Sequence, residues 1–165
     1  ENEFLSDLQG LEYKTMLEKA DNIVLGFVAS TTATGAIPIP FADAPMLVAQ
    51  QVAMMAAING VFKMDVSKDA LKSLAVAALG VGGATAIGKT AAAGLLKLIP
   101  GAGSVAGGAI SAGTAGVITL ALGKAYIEVC KAIKMGKLDQ NDLTKKAGMD
   151  MLKHSFKEQM KRNKK

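Results

Sequence analysis

The feature that most constrains this chain of 165 residues is the near absence of charge from its middle. Between Asp21 and Lys63 lie 41 residues with a single charged side chain, Asp43, and a second run without charge extends from Leu98 to Gly123. Because half of the residues are apolar, the chain buries a core and is not intrinsically disordered. Runs of this kind fit either a tightly packed helical core or helices that enter a membrane.

Charge is concentrated at the two ends of the chain, with opposite sign. Residues 1–21 carry six acidic and two basic side chains, whereas residues 131–165 carry eleven basic and four acidic ones. The chain has one cysteine, Cys130, and one histidine, His154, and neither stands beside the partners that a metal centre or a catalytic triad needs. We therefore expect no enzymatic activity and no cofactor.

The spacing of apolar residues predicts helices, and strand signals are weak because β-branched residues never alternate cleanly with polar ones. A polar helix is predicted over 1–21. The further predicted helices span about 14–36, 44–62, 68–79, 84–98, 102–135 and 140–162. Gly60 and Gly136 are predicted to end the helices over 44–62 and 102–135, and Ser67 or Asp65 is predicted to cap the helix that starts near 68.

Three prolines within eight residues mark a sharp corner between two predicted helices. Pro38, Pro40 and Pro45 cannot continue a helix, because each lacks a backbone donor and restricts the residue before it. Pro45 suits the first turn of the next helix, with Asp43 or a neighbour as the N-cap. This segment is predicted to form the tip of a helical hairpin.

Small residues recur every fourth position near the start of the longest predicted helix. Such spacing places them on one helix face, where a second backbone can approach closely. We predict a glycine zipper for helix packing, formed by Gly103, Gly107, Gly108, Ser111, Ala112 and Gly116.

Residues 83–90 match the phosphate-binding loop pattern G-x-x-x-x-G-K-[ST] letter for letter. A genuine loop of this type follows a buried strand and opens a helix. Here the preceding residues are rich in alanine and typical of a helix, and no strand ending in Asp follows. The pattern therefore favours close helix packing over nucleotide binding through Lys89.

The last predicted helix is amphipathic and basic, with Leu152, Phe156 and Met160 on one face. A surface of this kind is typical of a solvated helix face or of contact with anionic lipid or an acidic partner. No nucleic acid is expected, since aromatic stacking groups are nearly absent. The basic surface comprises Lys145, Lys146, Lys153, Lys157, Lys161 and Arg162.

Several motifs between about residues 15 and 135 support a family resemblance. They read Pro38-Ile39-Pro40-Phe41-Ala42-Asp43-Ala44-Pro45, then Leu47-x-x-Gln50-x-x-x-Met54-x-x-x-Ile58, then Ile99-Pro100-Gly101-Ala102-Gly103 and Gly107-Gly108-Ala109-Ile110-Ser111-Ala112. Together they resemble the helical domain of unknown function found C-terminal to bacterial Era-type GTPase domains. The resemblance implies an all-helical module, often joined after a small GTPase, that associates with the inner membrane and has no established catalytic residues.

These observations predict an all-α fold, a multi-helix bundle with a Pro-tipped hairpin and long Gly/Ala-rich helices, with membrane insertion left open. Residues 1–136 are predicted to form the Gly/Ala-rich domain, and residues 137–165 a basic amphipathic helix and tail. The expected function is a non-catalytic module for self-assembly or membrane association, present as a homo-oligomer. Its expected partners are a GTPase domain or protein and an anionic membrane, at the cytoplasmic face of the inner membrane or in the cytoplasm. The alternative is a pore-forming or membrane-disrupting effector.

Overall fold

Apolar residues spaced three and four apart build five helices in this computed structural model, which describes residues 2–33, 39–40, 44–79, 109–110 and 112–162. The predicted all-α class is confirmed. A short 3₁₀ turn, Gln140–Asp142, precedes the last helix. The helices are α1 (Asn2–Ala33), α2 (Ala44–Phe62), α3 (Lys68–Leu79), α4 (Ala112–Lys134) and α5 (Lys146–Arg162).

The first helix is longer than the sequence analysis predicted. Two helices over 1–21 and 14–36 were expected, but α1 is continuous for 32 residues. The prediction was wrong because it placed a boundary where charge disappears after Asp21, and a change of polarity does not interrupt backbone hydrogen bonds. Only proline or an unfavourable run of glycines would do so, and α1 has isolated glycines at Gly10 and Gly26.

The second helix has the predicted bounds, 44–62, and a defined end. Lys63 adopts a left-handed conformation with φ 55°. The amide of Met64 donates to the carbonyl of Asn59 at 2.9 Å, and the amide of Lys63 donates to the carbonyl of Gly60 at 3.4 Å. These two bonds form a Schellman motif, so the residue that terminates the helix is Lys63 and not the glycine at 60.

The third helix begins where its cap was predicted. The hydroxyl of Ser67 accepts a hydrogen bond from the amide of Ala70 at 3.2 Å. Asp69 adds an acidic side chain to the first turn, where the helix dipole favours negative charge. The predicted cap at Ser67 is confirmed.

The fourth helix ends at the predicted glycine. Gly136 has φ 75°. Its amide donates to the carbonyl of Ile133 at 3.1 Å, and the amide of Lys137 donates to the carbonyl of Ala132 at 2.8 Å.

The predicted helix over 140–162 is wrong in its first six residues. There the carboxylate of Asp139 accepts from the amide of Asn141 at 2.8 Å and starts the 3₁₀ turn instead.

Side-chain pairs reveal how the helices run. Gln51 of α2 contacts Thr119 of α4, and Asn59 contacts Tyr126, so both numbers rise together and α2 is parallel to α4. The ion pair between Asp21 and Lys124 and the close approach of Val24 to Gly123 indicate that α1 is antiparallel to α4. α4 is therefore the central helix, in contact with α1, α2 and α5.

All five helices contribute to one apolar core. α5 covers one side of α4 and also contacts α3. The residues after Gly136 belong to this core, so the C-terminal helix is part of the bundle. Its core members are Leu138, Leu143, Leu152, Phe156 and Met160.

Two short segments pair as an antiparallel bridge. Ile39 lies opposite Ile110, and Pro40 lies opposite Ala109. The bridge joins the proline corner to the segment that leads into α4. The predicted helix over 84–98 and the G-x-x-x-x-G-K-[ST] match at 83–90 lie outside the described residues.

Candidate functional site

The residues predicted to form the corner and the zipper are only partly within the described structure. Pro40 lies in the bridge and Pro45 in the first turn of α2, whereas Pro38 and Asp43 lie outside the described residues. Ala112 opens α4, and Gly116 is buried within it. The other predicted zipper positions, Gly103, Gly107, Gly108 and Ser111, lie outside the described residues.

A different glycine is the close crossing point of the described helices. A Cβ atom on Gly123 would lie 2.6 and 2.7 Å from the two γ-carbons of Val24 in α1, and 3.1 Å from the sulfur of Met54 in α2. Three helices therefore meet where one has no side chain. Gly123 lies two helical turns after Gly116 and so shares its face, but it was not among the predicted zipper residues.

A row of polar groups is buried between α2 and α4. The amide nitrogen of Gln51 donates to the hydroxyl of Thr119 at 3.0 Å, and the hydroxyl of Tyr126 donates to the amide oxygen of Asn59. Gln51 and Thr119 are at most 1% exposed. Buried pairs of this kind fix the register of two helices, since a slip would leave each group without its partner.

The thiol of Cys130 lies one turn beyond Tyr126 in the same buried row. Burial raises the pKa of the Cys130 thiol to about 12, opposed by its hydrogen bond with Tyr126. Burial also raises the pKa of the Tyr126 hydroxyl well above its usual range. A thiol that stays protonated and buried is a poor nucleophile, so the burial of Cys130 is suited to packing.

We predict that alkaline pH destabilises the chain through Cys130. In the unfolded chain the thiol loses its proton near pH 9, whereas in the folded chain the thiol keeps its proton until about pH 12. Between these values the unfolded state binds fewer protons, so the free energy of unfolding falls as pH rises, by about 1 kcal/mol per pH unit. Urea unfolding followed by circular dichroism across this range measures the slope. The Cys130→Ala variant should show a shallower slope, and an unchanged slope would contradict the assignment.

The predicted basic surface lies on α5 and on the turn before it, and half of it is neutralised locally. Lys145 pairs with Asp142 at 3.0 Å, Lys146 pairs with Asp150, and Lys161 pairs with Glu158 at 3.2 Å. Within the described residues, the other three basic side chains form no ion pair. These are Lys153, Lys157 and Arg162.

The acidic groups on α5 are held in their charged form by the neighbouring lysines. The hydrogen bond from Lys146 lowers the pKa of Asp150, and that from Lys161 lowers the pKa of Glu158. All four groups are exposed, so these pairs add little stability. These pairs neutralise Lys146 and Lys161, so the remaining positive charge of α5 lies on Lys153, Lys157 and Arg162.

The apolar face of the same helix is fully occupied. Leu152, Phe156 and Met160 are each at most 2% exposed, packed in the core. Within the described part of the chain, no helix is both long and apolar enough to cross a membrane. No cluster of metal-ligating side chains is found in those same residues.

The fold and these sites define an all-α domain whose distinctive features are packing and surface charge. Residues 6–164 match the family described as Domain of unknown function (DUF697), and the chain belongs to that family. No curated protein and no solved structure matches the chain. The resemblance to a helical domain of unknown function is thereby confirmed, and its link to Era-type GTPases stays a prediction.

Proposed function

We propose that this chain is a non-catalytic helical module that attaches to anionic membrane surfaces through α5 and assembles with copies of itself. The proposed attachment is supported by the division of α5 into a buried apolar face and an exposed basic face. Leu152, Phe156 and Met160 are buried in the bundle, while Lys153 and Lys157 are exposed and unpaired within the described residues.

This division favours attachment by charge without insertion of the helix. An amphipathic helix that lies in a bilayer buries its apolar face among the acyl chains. In α5 that face already covers α4 and α3, so the exposed lysines are what remains for lipid. Each lysine close to an anionic surface contributes on the order of 1 kcal/mol, and salt screens this attraction.

The attachment is tested by sedimentation of the chain with vesicles of phosphatidylcholine alone or mixed with phosphatidylserine. We expect binding only to the mixed vesicles, weakened by salt and weakened about ten-fold or more when Lys153→Gln and Lys157→Gln are combined. The matched control combines Lys68→Gln and Lys72→Gln, which removes the same charge from exposed positions on α3. Equal loss in both variants, or equal binding to both kinds of vesicle, would contradict a site on α5.

The same vesicles distinguish attachment from the alternative function, a pore-forming or membrane-disrupting effector. Vesicles loaded with a self-quenched dye report leakage directly. Attachment through lysines alone predicts binding without leakage, because the apolar face of α5 stays in the core. Dye release that rises with bound protein would favour the effector.

We further propose that a GTPase is the physiological partner, on the family resemblance given above. Co-purification with an Era-type GTPase from the same organism, compared between wild type and the two charge variants, tests this association separately from lipid binding. Failure to co-purify under any nucleotide condition would remove the GTPase from the proposal.

A further inference from the structure

One face of α1 points away from the bundle and carries exposed leucines. Leu8, Leu11 and Leu25 are 43%, 65% and 55% exposed. On the opposite face of the same helix, Ala20 and Val24 are fully buried. α1 thus has one apolar face that the bundle covers and, opposite to it, an exposed face that carries three leucines.

The three exposed leucines lie on a stripe with heptad spacing whose middle positions are polar. Starting from Leu8, steps of three and four residues define a stripe along α1, and every side chain in it is exposed. Alternate spacing of three and four is the pattern of a coiled-coil seam. The stripe consists of Leu8, Leu11, Thr15, Glu18, Asn22 and Leu25.

We infer that α1 pairs with α1 of a second copy of this chain as an antiparallel, two-fold symmetric coiled coil. The inference deepens the self-assembly part of the proposed function and rests on it, whereas attachment to lipid does not depend on it. In this register Leu8 packs against Leu25 of the second copy at both ends of the seam. Thr15 lies beside Glu18 of the second copy near the two-fold axis.

The charges that flank the stripe select the antiparallel orientation. In a coiled coil the flanking positions decide how two helices pair. Antiparallel pairing places Glu12 beside Lys19 of the second copy, so opposite charges meet. Lys14 lies beside Asp21 in this register, and Asp21 also pairs with Lys124 of its own α4 at 2.7 Å. Parallel pairing would place Asp7 beside Glu12 and Lys14 beside Lys19, so like charges would meet.

The polar members of the stripe are compatible with a seam that is weak. The hydroxyl of Thr15 already donates to the carbonyl of Leu11 at 2.9 Å, so its burial leaves no donor unpaired. In this register Asn22 lies beside Leu11 of the second copy, so its amide has no polar partner across the seam and its burial weakens the association. Glu18 opposes association because burial of a carboxylate is costly.

The folded bundle makes a seam of this short length feasible. An isolated helix of this size would be marginal in water, because nucleation is unfavourable. Here α1 is already ordered by its contacts with α4 and α2. Pairing therefore has only to order side chains and bring two preformed surfaces together.

Sedimentation equilibrium of the full chain over a wide range of concentration tests the inference. We expect a reversible dimer that Glu18→Leu tightens about ten-fold or more, since a buried leucine replaces a buried charge on each helix. Glu128→Leu, at an exposed position of the largely buried α4, is the matched control and should leave the dimer unchanged. A chain that stays monomeric throughout, or equal tightening by both variants, would overturn the proposal.

Charge exchange tests the orientation within the same measurement. Lys19→Glu should weaken the dimer about ten-fold, because it sets residue 19 as a glutamate beside Glu12 in both of the symmetry-related contacts. Combining it with Glu12→Lys restores the opposite charges and should restore the affinity. Failure of the double variant to recover would contradict the antiparallel register.

Disulfide crosslinking gives an independent measure of direction. In an antiparallel pair, Leu8→Cys crosslinks to Leu25→Cys supplied by another copy, and neither variant crosslinks to itself. Cys130 is buried and does not compete. Efficient crosslinking of Leu8→Cys to itself would indicate parallel helices and overturn the proposal.

Discussion

Gly148→Ala lowers the free energy of unfolding by about 3 kcal/mol, the largest effect we expect from a single added methyl group among the glycines whose surroundings the structure describes. A Cβ atom at this position would lie 2.1 Å from the carbonyl oxygen of Leu143 and 2.5 Å from its carbonyl carbon and Cα. These are backbone atoms, so the first turn of α5 has to move. Leu143 is itself only 2% exposed, so the core has to move with it.

The same substitution at open helical glycines is the matched control. A Cβ atom on Gly26 in α1 or on Gly60 in α2 would have no neighbouring atom within 4 Å, so alanine fits without contact. There Gly→Ala should stabilise the chain by about 0.5–1 kcal/mol, because alanine loses less backbone entropy on folding. Urea unfolding followed by far-ultraviolet circular dichroism measures all three variants. A Gly148→Ala variant as stable as wild type would mean that α5 does not start against Leu143.

Local signals in the sequence predicted most helix boundaries correctly. Ser67 caps α3, Pro45 falls in the first turn of α2, and Gly136 follows α4 at a positive φ. Each of these features depends on a few neighbouring residues, so the local sequence is sufficient to predict it. The boundary inside α1 failed because it relied on composition, which does not determine backbone hydrogen bonding.

Contacts between helices could not be predicted in the same way. Gln51 and Thr119 are 68 residues apart in sequence, and Asn59 and Tyr126 are 67 apart, yet each pair is hydrogen-bonded. Nothing in the neighbourhood of either residue identifies its partner. A polar residue in an apolar helix signals that some partner exists, but the partner depends on the packing of the whole bundle.

The basic C-terminal helix illustrates an ambiguity that only tertiary structure resolves. A face bearing Leu152, Phe156 and Met160 satisfies the pattern of a core helix and that of a helix at a membrane interface equally well. The bundle covers that face, which leaves charge as the basis for any attachment to lipid. The sequence therefore predicted the residues of the basic surface, and the fold determines how they can act.

Small residues in the sequence indicated close helix packing but not its position. The predicted zipper precedes and opens α4, whereas the crossing that the structure describes is at Gly123, where α1 and α2 both approach. Val24 contributes two branched carbons to this crossing and is fully buried, so it has no room to rotate away. Met54 also lies there, with a flexible side chain that can adjust.

Gly123→Ala should lower the free energy of unfolding by about 2 kcal/mol, because the new methyl group would lie 2.6 Å from a γ-carbon of Val24. Removing those carbons with Val24→Ala creates a cavity and should cost about 2 kcal/mol by itself. In the double variant the added methyl group occupies the space that Val24 vacates. Its destabilisation should therefore be smaller than the sum of the two single effects by about 1–2 kcal/mol.

The appropriate comparison for this double-mutant cycle pairs Val24→Ala with Gly60→Ala. Gly60 is a helical glycine with open space around it, so the two effects should add to within about 0.5 kcal/mol. If Gly123→Ala and Val24→Ala also add, α1 does not cross α4 at this pair. If a favourable coupling is found only in the Gly123 cycle, α1 crosses α4 at this glycine. In that orientation the stripe along α1 faces away from α4 and is exposed to a second copy.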